Sequence, residues 1–157
     1  MSKGGAAADA LLIQELVSGK VDRPLVLTGV SAANVQCSRP LVGTEFVPTG
    51  AGPLPNRVSS INLDSTKREA APERNLDGST WTFPLQVSNA DAERFTFIVA
   101  TADGDCRFKL AVHYRDGDSA RTQTFDDHGR PFRVTASSSA TSQVQWMISG
   151  NSVTVAP

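Results

Sequence analysis

Little in this sequence commits it to one chemistry. Only two cysteines occur, Cys37 and Cys106, with no Cys-x-x-Cys pair and no histidines at ligand spacing, so a zinc–thiolate site is not expected. By spacing alone the two are either buried thiols or one disulfide. Long apolar runs are missing too: Ala10–Ile13, among the longest, has four residues, against the ~20 that cross a bilayer. Lys3 is followed by no apolar stretch of signal-peptide kind, so Met1 reads either as a natural cytoplasmic start or as the start of a segment of a longer protein. Charge of one sign is also lacking. Fifteen Lys and Arg against sixteen Asp and Glu leave a net charge of -1, which draws in neither nucleic acid nor an anionic membrane. The expectation is a soluble segment with no nucleic-acid partner, no membrane contact of its own, no metal and no cofactor.

A chain of 157 residues suits a single domain, taken here as residues 1–157. Ala10, Leu11, Ile13, Leu16 and Val17 form a helical apolar stripe, with Asp9 placed to cap it and Gly19 to end it, and predict a short helix at about 9–18. Beyond Pro24 the pattern changes to strands. Leu25–Cys37 reads as one long strand or two broken near Gly29, and Thr44–Val47 and Arg57–Leu63 as shorter ones. Pro48–Pro55 holds too many breakers for a strand, and the charged stretch Asp64–Gly78 predicts the longest and most mobile surface excursion.

The second half alternates more clearly. Trp81, Phe83, Leu85 and Val87 share one face, with Pro84 arguing for an edge or bulge. Phe95, Phe97 and Val99 repeat the device, and Cys106, Phe108, Leu110, Val112 and Tyr114 make the clearest core strand. Asp116-Gly117 predicts a hairpin into the polar strand Ala120–Phe125, Phe132–Thr135 a last buried strand, and residues 143–156 a closing hairpin after a serine-rich linker. No repeat of fixed period is present. The fold class expected is mostly β, an antiparallel β-sandwich of immunoglobulin-like or jelly-roll-like type with one short N-terminal helix.

The segments CSRPLVGTEFVPTGAG, INLDS, CRFKLAVHYRDGD and TFDDHGRPFRVTA resemble an actinobacterial domain of unknown function that usually follows a transmembrane helix. The resemblance runs from about Leu11 to Trp146. That family ends in a Gly-x-Pro-Phe-Arg-x-Thr-Ala phrase, matched by Gly129, Pro131, Phe132, Arg133, Thr135 and Ala136, and two of its cysteines fall where Cys37 and Cys106 fall. The aromatic pair expected before Trp81 is missing here. The resemblance implies a membrane-anchored parent with this segment outside the cytoplasm, where a Cys37–Cys106 disulfide persists. It transfers no catalytic residue.

Asp126, Asp127 and His128 are the one place where carboxylates and an imidazole adjoin, the residue types of general acid–base work or metal binding. The simpler reading is a turn, since Asp bonds its own backbone before Gly129-Arg130-Pro131. His113, between Val112 and Tyr114, reads as a solvent-side strand residue. Neither histidine has a Gly-x-Ser-x-Gly elbow nearby. Asp103-Gly104-Asp105 and Asp116-Gly117-Asp118 resemble fragments of calcium loops, but an extended strand holds them ~30 Å apart at ~3.3 Å per residue, so hairpin turns explain them better. Trp81 and Trp146 are core residues or an aromatic binding platform, with Trp146 the better placed for exposure.

These readings lead to a non-catalytic interaction or ligand-binding module for an unknown protein or cell-envelope ligand. It presents the loops Pro48–Pro55 and Asp64–Gly78, with Trp146, Asp126, Asp127 and His128 as a possible binding surface. Two rivals remain, a hydrolase using Asp126, Asp127 and His128, and a structural spacer. The address is extracytoplasmic if the parent is anchored, and cytoplasmic if Met1 is native.

Overall fold

The computed structural model describes residues 5–20, 23–48, 57–75, 77–149 and 152–156, with the side chains of residues 46, 48, 146–149 and 152–156 outside that description. The strands in chain order are β1 (Ala7–Ala8), β2 (Ala10–Val17), β3 (Leu25–Ser38), β4 (Gly43–Pro48), β5 (Val58–Asn62), β6 (Ala71–Pro72), β7 (Leu85–Val87), β8 (Glu93–Ala100), β9 (Asp105–Asp116), β10 (Ser119–Phe125), β11 (Phe132–Thr135), β12 (Ala140–Ser149) and β13 (Ser152–Ala156). They form three sheets. The largest has the order β1-β11-β9-β3-β7 with β10 also on β9, the second β2-β8-β5-β6, and the third β13-β12-β4.

Strand β9 is the axis of the first sheet because one of its faces is apolar throughout: Cys106, Phe108 and Leu110 are at most 1% exposed and Val112 is 6%, with Ala111 buried on the other face. Along one edge it pairs with β3, and along the other with β11 at its start and β10 at its end. In the second sheet β8 supplies Phe95, Phe97 and Val99, with Ile61 beside them from β5. The buried side chains of these two sheets meet in a single cluster that also takes in Leu27, Val30, Val87 and Val134. Stacked rings of Phe95 and Phe97 (5.8 Å), with Trp81 against Phe83 (5.3 Å) and Phe95 (5.7 Å), fill it. At the start of β9 the carboxylate of Asp105, only 6% exposed, accepts both guanidinium bonds of Arg133 at 2.8 Å, which makes its burial tolerable.

Several expectations change. The N-terminal helix at 9–18 does not form; those residues are β2, paired residue for residue with β8 from Ala10–Ala100 to Val17–Glu93. A strand wins because β8 needs a partner along its whole length, and because eight residues are too few for a helix to be stable without packing. Asp9, read as a cap for that helix, instead has φ 58°, and its carboxylate accepts from the backbone N–H and hydroxyl of Ser137 at 2.7 and 2.8 Å. The sheets are not purely antiparallel: β1 runs parallel to β11, β5 to β8 and β12 to β4, each pair joined through strands of other sheets rather than by a hairpin.

Residues 64–78 are more tied down than a free excursion. Ala32 N–H donates to the carbonyl of Arg68 and Ala70 N–H to that of Val30, β6 pairs with β5, and the Asp64 carboxylate accepts from Thr101 and from the backbone of Ala102. Trp81 and Phe83 precede the short strand β7 rather than belonging to it, and β7 is an edge, as Pro84 argued. Leu25–Ser38 is one strand with irregularities between Leu27 and Gly29 and between Ala33 and Gln36.

Candidate functional site

Cys37 and Cys106 are joined by a disulfide. Register explains the pairing: the two residues face each other across β3 and β9, so the bond staples two strands already in contact. Gly104 belongs to the same corner, since a Cβ there would lie 2.9 Å from the Ser38 carbonyl oxygen and 3.6 Å from the Cys106 sulfur. A disulfide persists in an oxidising compartment.

The Asp126, Asp127 and His128 cluster is a two-residue hairpin turn. Asp127 and Arg130 exchange backbone bonds, and His128 (φ 52°) and Gly129 (φ 87°) take the left-handed conformations that such a turn needs. The Asp126 carboxylate accepts from Lys109 Nζ at 2.7 Å and from Gly129 N–H at 2.9 Å rather than from the histidine ring. The Lys109 bond first, then that backbone bond, hold its carboxyl below the ordinary range. The His128 ring meets Asp127 at 3.0 Å, but its side chain is 98% exposed, so nothing around it confines a substrate. Trp81 is spent on packing: its Nε1 donates to the Val58 carbonyl and Arg57 sits 5.9 Å over its ring. The Trp146 side chain and residues 49–55 of the Pro48–Pro55 loop lie outside the described residues.

His113 is not simply solvated. Its Nε2 lies 2.8 Å from the Ser31 hydroxyl and its Nδ1 3.0 Å from that of Thr122, bridging β3, β9 and β10. A serine–histidine contact is half of a nucleophilic arrangement, yet here a second hydroxyl takes the place of an orienting carboxylate. No described cleft reaches the pair. The arrangement works as a cross-strand clamp.

The feature that sequence reasoning missed is the side of the molecule between β2 and β10. Register dictates its lining. Arg121, Gln123 and Phe125 of β10 pair with Tyr114, Val112 and Leu110 of β9, so they must point to the same inner face. Glu15 pairs with Phe95 and turns inward likewise. Among the described residues no strand covers these side chains, and β2 and β10 each pair along one edge only. The result is a cleft of about 560 Å³.

Its floor holds Leu25, Val87, Phe97, Leu110 and Val112, and its rim Glu15, Lys20, Arg121 and the ion pair of Arg23 with Asp116 at 2.7 Å. Burial raises the Glu15 carboxyl, which has no hydrogen-bond partner among the described residues. A second groove of about 810 Å³ continues along β2 past Leu11–Glu15 toward Arg107, Arg130 and Phe132. The first groove is mainly apolar and the second, lined by Arg107, Asp127, Arg130 and Arg133, is charged, so together they suit an elongated guest with an apolar part and a polar part. Compared with family models, curated proteins and solved structures, the chain matches none.

Proposed function

We propose that this chain is a non-catalytic interaction module, a β-sandwich of one domain that receives an extended partner segment along its open side between β2 and β10. The observation that carries the reading is that opening: two unpaired strand edges flank an apolar floor with a charged rim. An extended peptide satisfies an edge's free N–H and C=O groups while alternate side chains enter the cleft, which is how strand addition combines affinity with specificity. The disulfide and the resemblance to the actinobacterial domain support an extracytoplasmic address in a membrane-anchored parent. Of the turn residues, Asp126 and His128 line neither groove, and Asp127 lines the second. The hydrolase reading gains no support from an exposed His128 whose nearest carboxylate is its own neighbour in the turn.

Selection from a displayed library of random peptides tests the site. Binders are expected to lose affinity for the Leu16→Lys and Phe125→Lys variants and to keep it for His128→Ala. Binders indifferent to both edge substitutions would overturn the reading. Two free thiols in unreduced, denatured protein from its native host would overturn the address.

A further inference from the structure

Strand β2 carries a pattern that the core does not explain. Its sequence, ALLIQELV, has no Pro, Gly or Lys to block its free edge, and its only charge is the inward-facing Glu15. Four large apolar side chains are exposed among the described residues, and two of them, Leu12 (51%) and Leu16 (62%), sit on this strand's outward face. They lie symmetrically about Gln14. When β2 pairs antiparallel with another β2 centred on Gln14, Leu12 falls opposite Leu16 of the second copy and Leu16 opposite its Leu12. Leu11 then faces Val17, and Glu15 faces Ile13, so no two like charges are directly opposed. Moving the centre to Ile13 or Glu15 breaks both leucine pairs and sets Leu16 against Ala10 or Gln14.

A two-fold contact requires this self-complementarity, in which each residue and its counterpart exchange places. We infer that a second copy of this chain pairs with β2 in this register, joining the four-stranded sheets of two molecules into one continuous sheet. The inference rests on the open side being a partner site, and it names the partner. The added strand satisfies the free edge, covers the two leucines and forms a side wall for both grooves, which share Glu15 on β2.

The test is sedimentation equilibrium of the whole, disulfide-bonded chain across the micromolar range, with cysteine cross-linking to fix the register. A reversible dimer is expected. Leu12→Lys/Leu16→Lys weakens it by more than about tenfold, through two lost apolar pairs and new like-charge pairs, with the circular dichroism spectrum and melting curve unchanged. Gln14→Cys, which faces itself at a Cα separation of about 5 Å, cross-links on oxidation, whereas Leu12→Cys alone does not.

A chain that stays monomeric and does not cross-link through Gln14→Cys overturns the inference. Peptides selected from the random library, added to that monomer, then separate the two claims. If they bind and lose affinity for Leu16→Lys and Phe125→Lys, the open side remains a partner site for another extended segment; if they bind with no regard to either substitution, the interaction reading falls as well.

Discussion

Ser59 and Thr96 each bury a hydroxyl oxygen completely, and neither oxygen has a hydrogen-bond partner among the described residues. An unsatisfied buried hydroxyl costs more than it returns, so Ser59→Ala or Thr96→Val is expected to leave stability unchanged or raise it by about 1 kcal/mol in urea unfolding. At the turn, Asp126 behaves differently. Its folded value lies below the ordinary 3.8, so the stability it contributes is present above that pH and is lost as pH falls through the folded value. Melting temperatures of the parent and Asp126→Asn should therefore differ at neutral pH and converge toward the acid end. A constant difference at every pH would show that the Lys109 and Gly129 bonds do not set the dependence. That Asp126-Asp127-His128 is a turn was legible, because Asp before a glycine-containing hairpin has an ordinary backbone use. That His113 is clamped between Ser31 and Thr122 was not, since its partners lie 82 and 9 residues away.

Among the elements, those whose two faces differ in polarity were the legible ones. Strand β9 and the apolar face of β8 follow directly from period two, and the polar strand β10 is exposed along its whole length as its composition required. Strand β2 misled because it is an edge whose outward face is also apolar. Leu16 there joins a helical stripe with Ala10, Leu11, Ile13 and Val17, whereas in the sheet Leu16, with Leu12, points the opposite way from Leu11, Ile13 and Val17. Read with period two, the same residues give an inward set and an outward pair, which is the signal that marks the open side.

The start of this element is held by the Asp9 carboxylate on Ser137, which ties β2 and β1 to the turn after β11. Asp9→Ala is expected to cost about 1 to 3 kcal/mol and to speed amide exchange at Ala136 and Ser137, since bonds to a charged acceptor are the stronger kind. Loss of stability with exchange unchanged there would place the effect elsewhere.

At the scale of the whole molecule, the disulfide and the open side matter most. The bond closes a loop with a sequence separation of 69, so on the chain-entropy model its removal should cost about 4 kcal/mol. Cys37→Ser/Cys106→Ser should lower the urea midpoint accordingly while leaving the β-sheet circular dichroism spectrum unchanged. A shift of a few tenths of a kcal/mol would mean that β3 and β9 hold each other without it. The mostly β class was legible because alternation is local. The parallel pairings and the cleft were not, because they depend on which edges meet: Glu15, Leu25, Val87, Arg121 and Phe125 are brought together from across the chain. Only inward-facing polar residues on strands of otherwise apolar pattern, Glu15 above all, hinted that a face lacked its cover.

The central claim is that partners bind at the open side between β2 and β10. Amide hydrogen exchange with and without a library-selected peptide tests it most directly. The account predicts slowed exchange concentrated in Ala10–Val17 and Ser119–Phe125, with the Asp126–Gly129 turn unchanged. Protection confined to that turn, or to β4 and the β12–β13 hairpin, with both edges exchanging as before, would contradict it.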